Sequence, residues 1–234
     1  MRRTSRVAAA LISTLVLVSS CIAQQGQSRK PAAPMMTNDD LLTPRTVSSP
    51  AIESETGTAT GTPLRNARTI IEGAISKMSE LNSVRTRMQT TMPSGQVDVL
   101  IESVKPDRTH VVWPHGEMIG IGRKFYVKGE GGWSVTSVKL PQYDAGLEFN
   151  ALIKQLLQKS GVKITGQLLG PQTLDDIDTV AYVFEVDDGS QTGKISLNLG
   201  RDGYMRQMFL SGGGLDLKLW FSNLNEPLSI EPPM

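Results

Sequence analysis

Residues 84–102 have the sequence VRTRMQTTMPSGQVDVLIE, and this stretch decides the fold. On each side of Pro93-Ser94-Gly95, which favours a turn, apolar or small side chains alternate with charged or polar ones. Because successive side chains of a strand point to opposite faces, each arm has one apolar and one polar face. The segment therefore predicts a β-hairpin that packs on a core with only one of its faces.

The same alternation continues downstream, in short segments separated by Gly, Pro and Asp residues. Turns of this length connect antiparallel neighbours. The further predicted strands are Thr109–Trp113, Glu117–Ile121, Lys124–Lys128, Trp133–Ser137, Ile164–Leu169, Val180–Val186, Lys194–Leu199, Tyr204–Leu210 and Leu215–Phe221.

Two segments have the three- and four-residue spacing of an amphipathic helix instead. The first covers Leu64–Leu81, and the second covers Leu147–Lys159 and is stopped by Ser160-Gly161. Long runs of strands with two helices predict an α+β fold that is mostly antiparallel β.

The width of such a sheet limits its shape. About ten strands at a spacing of about 4.8 Å would make a flat sheet more than 40 Å wide. Two helices, each about 10 Å across, would shield only about half of its apolar face. We therefore expect a curved, half-open β-barrel closed by two or more helices around an apolar cavity that could hold a small ligand.

Candidate lining residues are apolar side chains on the helices and on the apolar strand faces, including methionines, whose flexible side chains adapt to ligands of different shape. Ordinary core packing is the alternative explanation for each of them separately. The candidates are Ile71, Ile75, Met78, Met88, Val99, Ile101, Ile119, Leu152, Leu156, Leu197, Met208, Leu217 and Leu219.

The N-terminus has the order of regions found in a signal peptide. Three arginines lie within the first six residues, and the uncharged residues 7–18 follow them. The segment Val18-Ser19-Ser20-Cys21 is similar to a bacterial lipobox, which predicts a signal peptide over residues 1–20 and acylation of Cys21. A cut after Ala23 by an ordinary signal peptidase is the alternative.

Residues 21–63 are predicted to be a disordered tether behind the acylated cysteine. This segment contains five prolines and no aromatic residue, so it cannot bury enough apolar surface to offset the entropy of ordering. A flexible coil of this length has a root-mean-square reach of about 35 Å. The folded domain is expected to cover residues 64–234.

Several function classes lack their signatures. With Cys21 as the single cysteine, internal disulfides and thiolate metal sites are excluded. The 24 basic and 23 acidic residues are nearly balanced, and no basic run indicates nucleic-acid binding. His110 and His115 point to opposite faces of an extended chain, and Asp175-Asp176-Ile177-Asp178 lacks the glycine and glutamate of a calcium loop. We therefore expect no enzyme activity, no cofactor and no metal.

Three segments carry a family resemblance. They are GQVDVLIESVKPDRTHVV at 95–112, GEMIGIGRKFYVKGEGGWSV at 116–135 and LWFSNLNEPLSIEPP at 219–233. Together with the order of the elements, they resemble the LolA/LppX-type (LppX/LprG-like) superfamily of periplasmic lipid and lipoprotein carriers over residues 64–233. The resemblance implies an incomplete antiparallel barrel whose apolar interior shelters acyl chains.

The expected function is that of a membrane-anchored envelope lipoprotein that binds acyl chains of lipids or lipoproteins for transfer or localisation. Ile22 stands where an aspartate is associated with inner-membrane retention, which favours the outer membrane. The alternative is a non-enzymatic interaction or sensor module of the envelope with a solid core. An envelope protein could be a further partner.

Overall fold

The computed structural model of the chain describes residues 61–92, 95–136 and 160–234, together with Ile153, Leu157 and Gln158. The predicted signal peptide, Cys21 and most of the tether lie outside these residues. Most of the predicted second helix also lies outside them, including the candidate lining residues Leu152 and Leu156. The three single residues have helical backbone.

The described strands are β1 (Thr62–Pro63), β2 (Ser83–Met92), β3 (Gly95–Val104), β4 (Arg108–Trp113), β5 (Gly116–Ile121), β6 (Lys124–Gly129), β7 (Gly132–Thr136), β8 (Lys163–Leu174), β9 (Ile177–Asp187), β10 (Thr192–Gly200), β11 (Met205–Gly212) and β12 (Leu215–Ser222). They form one sheet in the order β1-β8-β9-β10-β11-β12-β2-β3-β4-β5-β6-β7. Each predicted strand is present, and β1 is an addition.

The sheet consists of two meanders joined by the pairing of β12 with β2, which sets Leu219 opposite Met88. Every pair of neighbours is antiparallel. Strands β1 and β7 lie at its two ends and do not pair with each other, so the described sheet is open. The predicted open, mostly antiparallel architecture is confirmed.

The described helix α1 (Ala67–Ser79) lies within the predicted segment Leu64–Leu81. Its buried face contains Ala67, Ile71, Ala74, Ile75 and Met78. In the described part of the chain, no helix is long and apolar enough to cross a bilayer.

The packed core lies between α1 and strands β9 to β12. Phe184, Leu197 and Met208 are almost fully buried there and belong to one cluster with Ile71 and Ile75 of α1. The sheet face that carries these residues is called the inner face, and the opposite one the outer face. Helix α1, together with Ile153 and Leu157, therefore packs on the inner face of the second meander (β8 to β12). In the first meander (β2 to β7), the buried residues Ile101, Met118 and Phe125 lie outside this cluster.

The acidic segment after β8 forms a turn, as predicted. Asp175 and Asp176 connect β8 to β9 with positive φ angles of 47° and 63°, values that aspartate tolerates better than most residues. The next acidic turn is held by its own side chains, since Asp187 Oδ1 accepts a hydrogen bond of 2.8 Å from the Gly189 amide. Both segments connect strands.

Candidate functional site

The inner face of the first meander, from β2 to β7, forms a surface that we call the inner wall. The register places Met88 opposite Val99, Ile101 opposite Val111, and Val111 opposite Met118. Since opposite partners share a face, the apolar positions of these strands converge. Apolar side chains of the inner wall are Val84, Met88, Val97, Val99, Ile101, Val111, Trp113, Met118, Phe125 and Val127.

The inner wall is only partly buried. Ile101, Met118 and Phe125 are buried, but none of them belongs to the core cluster beneath α1. Val99 and Val111 are half-buried, as are Met88, Val97, Trp113 and Val127. This surface consequently offers apolar area that a ligand could remove from water.

The inner wall carries no charged side chain among the described residues of β2 to β7. Its polar groups are hydroxyls, glycine backbone and the Trp113 indole N–H, and the Thr90 hydroxyl is already satisfied by a 2.9 Å hydrogen bond to the Asp216 carbonyl. A surface of this kind favours hydrocarbon and disfavours ions, because an unpaired charge costs much free energy in apolar surroundings.

The thirteen candidate lining residues fall into four groups. Ile71, Ile75 and Met78 of α1, with Leu197, Met208, Leu217 and Leu219 of β10 to β12, lie in the packed core. Met88, Val99 and Ile101 lie on the inner wall. Leu152 and Leu156 are outside the described residues, and Ile119 is on the outer face.

The placement of Ile119 corrects the sequence prediction. Both Met118 and Ile119 are apolar, so alternation alone does not decide which of them faces inward. Pairing with β4 decides it, because Val111 lies opposite Met118 whereas His110 lies opposite Ile119. Met118 therefore belongs to the inner wall in place of Ile119.

Sequence reasoning also missed Val111, Trp113, Phe125 and Val127 as inner-wall residues. Period two in β4 was visible, but it does not show which of the two alternating sets shares a face with Ile101. The antiparallel register with β3 supplies that information.

On the outer face, a ladder of charged side chains crosses strands β2 to β6. Arg85 donates two hydrogen bonds of 2.9 and 2.6 Å to Glu102 Oε1. His110 lies between two carboxylates, with Nδ1 3.0 Å from Glu102 Oε2 and Nε2 3.0 Å from Glu117 Oε1. Lys128 Nζ donates a 3.0 Å bond to Glu117 Oε2. The ladder links five strands side to side.

The surroundings change the acidity of both glutamates. Burial alone would raise the pKa of Glu102, but hydrogen bonds from His110 and Arg85 outweigh this effect and lower its pKa below the ordinary value near 4.5. The pKa of Glu117 is likewise lowered, because bonds from Lys128 and His110 outweigh burial. Both carboxylates are therefore ionised at neutral pH.

We expect the ladder to weaken in acid. A carboxylate whose folded pKa is lowered contributes stability above its unfolded pKa, and the contribution is lost as the pH falls through the folded pKa. The double variant Glu102→Gln, Glu117→Gln should have a lower Tm than wild type at pH 7, by an amount equivalent to about 1 kcal/mol or less per carboxylate. Thermal unfolding from pH 7 to pH 3 should show this difference shrinking below about pH 4.5. A constant difference would contradict the assignment.

His110 lies in this ladder on the outer face, whereas His115 lies exposed in the β4–β5 turn. Glu102 and Glu117 approach opposite nitrogens of the His110 ring rather than a common point. Among the described residues, no three His, Cys, Asp or Glu side chains are placed to hold a metal ion.

The C-terminal residues 223–234 cross the end of the sheet where β2 and β4 begin. Asn225 Oδ1 accepts a 2.7 Å hydrogen bond from the Asn82 amide, and Arg108 donates one of 2.8 Å to the Ile230 carbonyl. Ile230 is buried. We call this the tail end of the inner wall, and the opposite end, with the β4–β5 turn, the hairpin end.

A depression of about 250 Å³ lies away from the inner wall, where β8 and β9 are joined. Arg201 and Asp178 form a 2.7 Å ion pair at its side. Its lining residues are Pro171, Gln172, Thr173, Asp178, Thr179, Val180 and Arg201. Five of its seven lining residues are polar or charged, and the ion pair disfavours an acyl chain there.

Comparison with known proteins identifies the fold. No family model and no curated protein matches the sequence. LprF from Mycobacterium bovis has a TM-score of 0.52 and 17% sequence identity, over 74% of this chain and 99% of that chain. This chain has the LprF fold. The lipoprotein LppX from Mycobacterium tuberculosis gives a TM-score of 0.47 and 18% identity, over 70% of this chain and 98% of that chain.

The fold match extends over almost the whole of LprF, and the open antiparallel sheet of this chain is consistent with the incomplete barrel that the resemblance implies. At 17% identity the comparison shows the fold alone.

Proposed function

We propose that this domain binds acyl chains of lipids or lipoproteins on its inner wall and takes part in their transfer or localisation in the cell envelope. The observation that carries the proposal is an uncharged, half-buried apolar face in β2 to β7, next to a core that α1 already fills. Binding here needs no catalytic group, because the driving force is the removal of apolar surface from water.

The dimensions of the inner wall suit an acyl chain. Strands β4 to β6 have six residues each, which corresponds to about 20 Å. The acyl layer of one bilayer leaflet is about 15 Å thick. Each methylene that leaves water contributes about 0.8 kcal/mol, so a chain lying along these strands could gain enough free energy for stable binding.

The decisive experiment is lipid capture by the domain of residues 61–234, which includes β1. Mass spectrometry of solvent extracts should find co-purified lipid, and the delipidated domain should take up a fluorescent acyl probe with saturable binding. Absence of both would contradict the proposal and favour the interaction or sensor module. Measuring uptake at increasing salt adds a control, since binding by an uncharged wall should change little with ionic strength.

We further propose that acylated Cys21 anchors the domain to a membrane, with the outer membrane favoured by Ile22, and that residues 21–63, apart from Thr62 and Pro63 of β1, act as its tether. The support is the lipobox-like segment Val18-Ser19-Ser20-Cys21. Anchoring would hold the inner wall near a supply of acyl chains.

Replacing Cys21 by alanine in the full chain is expected to move the protein from the membrane fraction to the soluble fraction, because several acyl chains are lost with the thiol. Fractionation of cells followed by immunoblotting measures this. The variant Ser20→Ala, which keeps a small residue before the cysteine, serves as the control and should stay in the membrane fraction. An unchanged distribution of Cys21→Ala would exclude the anchor.

A further inference from the structure

Trp113 occupies a distinctive position on the inner wall. It is the last residue of β4, at the hairpin end, and it lies opposite Gly116 of β5. A Cβ atom at Gly116 would lie only 2.4 Å from Trp113 Cζ2, so the indole ring rests directly on the glycine backbone. Glycine at this position therefore allows the ring to lie flat against the inner wall.

The indole N–H has no hydrogen-bond partner among the described residues. Trp113 Nε1 is shielded from solvent, and no backbone or side-chain oxygen of the described part of the chain accepts from it. A buried donor without an acceptor is unfavourable, and tryptophan in protein interiors usually finds a hydrogen-bond partner. The indole side chain as a whole is half-buried, so part of it lies exposed on the inner wall.

The surroundings restrict what could accept this hydrogen bond. The described inner wall has no cation that could neutralise an anionic group. A phosphate or carboxylate beside Trp113 would remain unpaired in apolar surroundings, which is costly, whereas an uncharged carbonyl oxygen needs only one donor. An ester carbonyl on an acyl chain meets both conditions.

We propose that Trp113 donates a hydrogen bond from Nε1 to an uncharged ester carbonyl of a lipid bound on the inner wall. The carbonyl lies at the hairpin end, and the hydrocarbon extends along β4 and β5 toward the tail end near Ile230. This inference rests on the proposed acyl-chain binding and adds the orientation of the chain and a preference for uncharged esters over free hydrocarbon.

The test compares two ligands that differ in one acceptor. Methyl palmitate carries an ester carbonyl, and hexadecane carries none. The displacement of a fluorescent acyl probe by each ligand is measured on the delipidated domain of residues 61–234, which includes β1. Trp113→Phe, which keeps an aromatic ring and removes the N–H, should weaken methyl palmitate binding about fivefold and leave hexadecane binding within about twofold. Trp220→Phe, on the outer face, is the matched control and should change neither.

A second measurement uses the wild-type domain, so it does not depend on the folding of a variant. The chain has three tryptophans, and Trp133 and Trp220 lie on the outer face as internal references. Methyl palmitate should shift the Trp113 indole ¹H–¹⁵N resonance downfield, and hexadecane should not.

The outcomes separate the two proposals. If wild type binds neither ligand, acyl-chain binding itself fails. Suppose that wild type binds both ligands, that Trp113→Phe changes the two affinities equally or leaves both unchanged, and that the Trp113 resonance responds alike to both ligands. Acyl-chain binding then stands, and the hydrogen-bonding role of Trp113 is wrong.

Discussion

Replacing Phe184 by alanine is expected to lower the free energy of unfolding by about 3–5 kcal/mol. Phe184 lies in β9 with no exposed surface. Its ring is stacked with that of Tyr182, with centroids 6.2 Å apart, and its Cδ1 would lie 2.7 Å from a Cβ atom at Gly166. Truncation leaves a cavity between the sheet and α1 that close-packed neighbours cannot fill.

The matched control is Val183→Ala, in the same strand. Val183 is half-buried and lies on the outer face opposite Ser196, so its truncation should cost about 1 kcal/mol or less. Urea unfolding followed by circular dichroism measures both variants. Similar losses of unfolding free energy in the two variants would mean that the inner face of β9 does not form the core.

The second large effect concerns ligand binding. Val99→Glu should reduce the affinity for an acyl probe by at least about a hundredfold, because the new carboxylate would face hydrocarbon without a partner. Val99 is half-buried on the inner wall and lies opposite Met88. Probe titration of the delipidated domain measures the change.

Leu100→Glu provides the comparison for this variant. Leu100 is the next residue and is also half-buried, but it lies on the outer face opposite Arg87, which could pair with the new carboxylate. We expect near wild-type affinity, with Tm values showing that both variants remain folded. Equal loss of binding in the two variants would contradict an acyl site on the inner face.

Local elements were largely predictable from the sequence. Period two predicted the β2–β3 hairpin and the strands after it, because one face of each strand must be apolar to pack on a core. The spacing of apolar residues predicted α1, and aspartate and glycine marked the turns. These signals are local, since they depend on backbone geometry within a few residues.

The candidate site was predicted less completely. Seven of the thirteen predicted lining residues, such as Ile75 and Leu197, lie in the packed core. The inner-wall residues Val111, Trp113 and Val127 were not among those predicted. Apolar character is the same for a residue that packs on α1 and for one on the inner wall. Whether an apolar residue lies in the core or on the inner wall depends on where the helix packs, and the composition of a strand does not specify the position of the helix.

Sequence alone determined the antiparallel strands, the helix α1, the turns and the expectation of an apolar rather than a catalytic site. Tertiary structure decided that β12 pairs with β2, that Met118 rather than Ile119 faces inward, and that His110 lies between Glu102 and Glu117. Each of these outcomes depends on register between strands. Register depends on which whole face becomes buried, so it is settled only when strands distant along the chain come together.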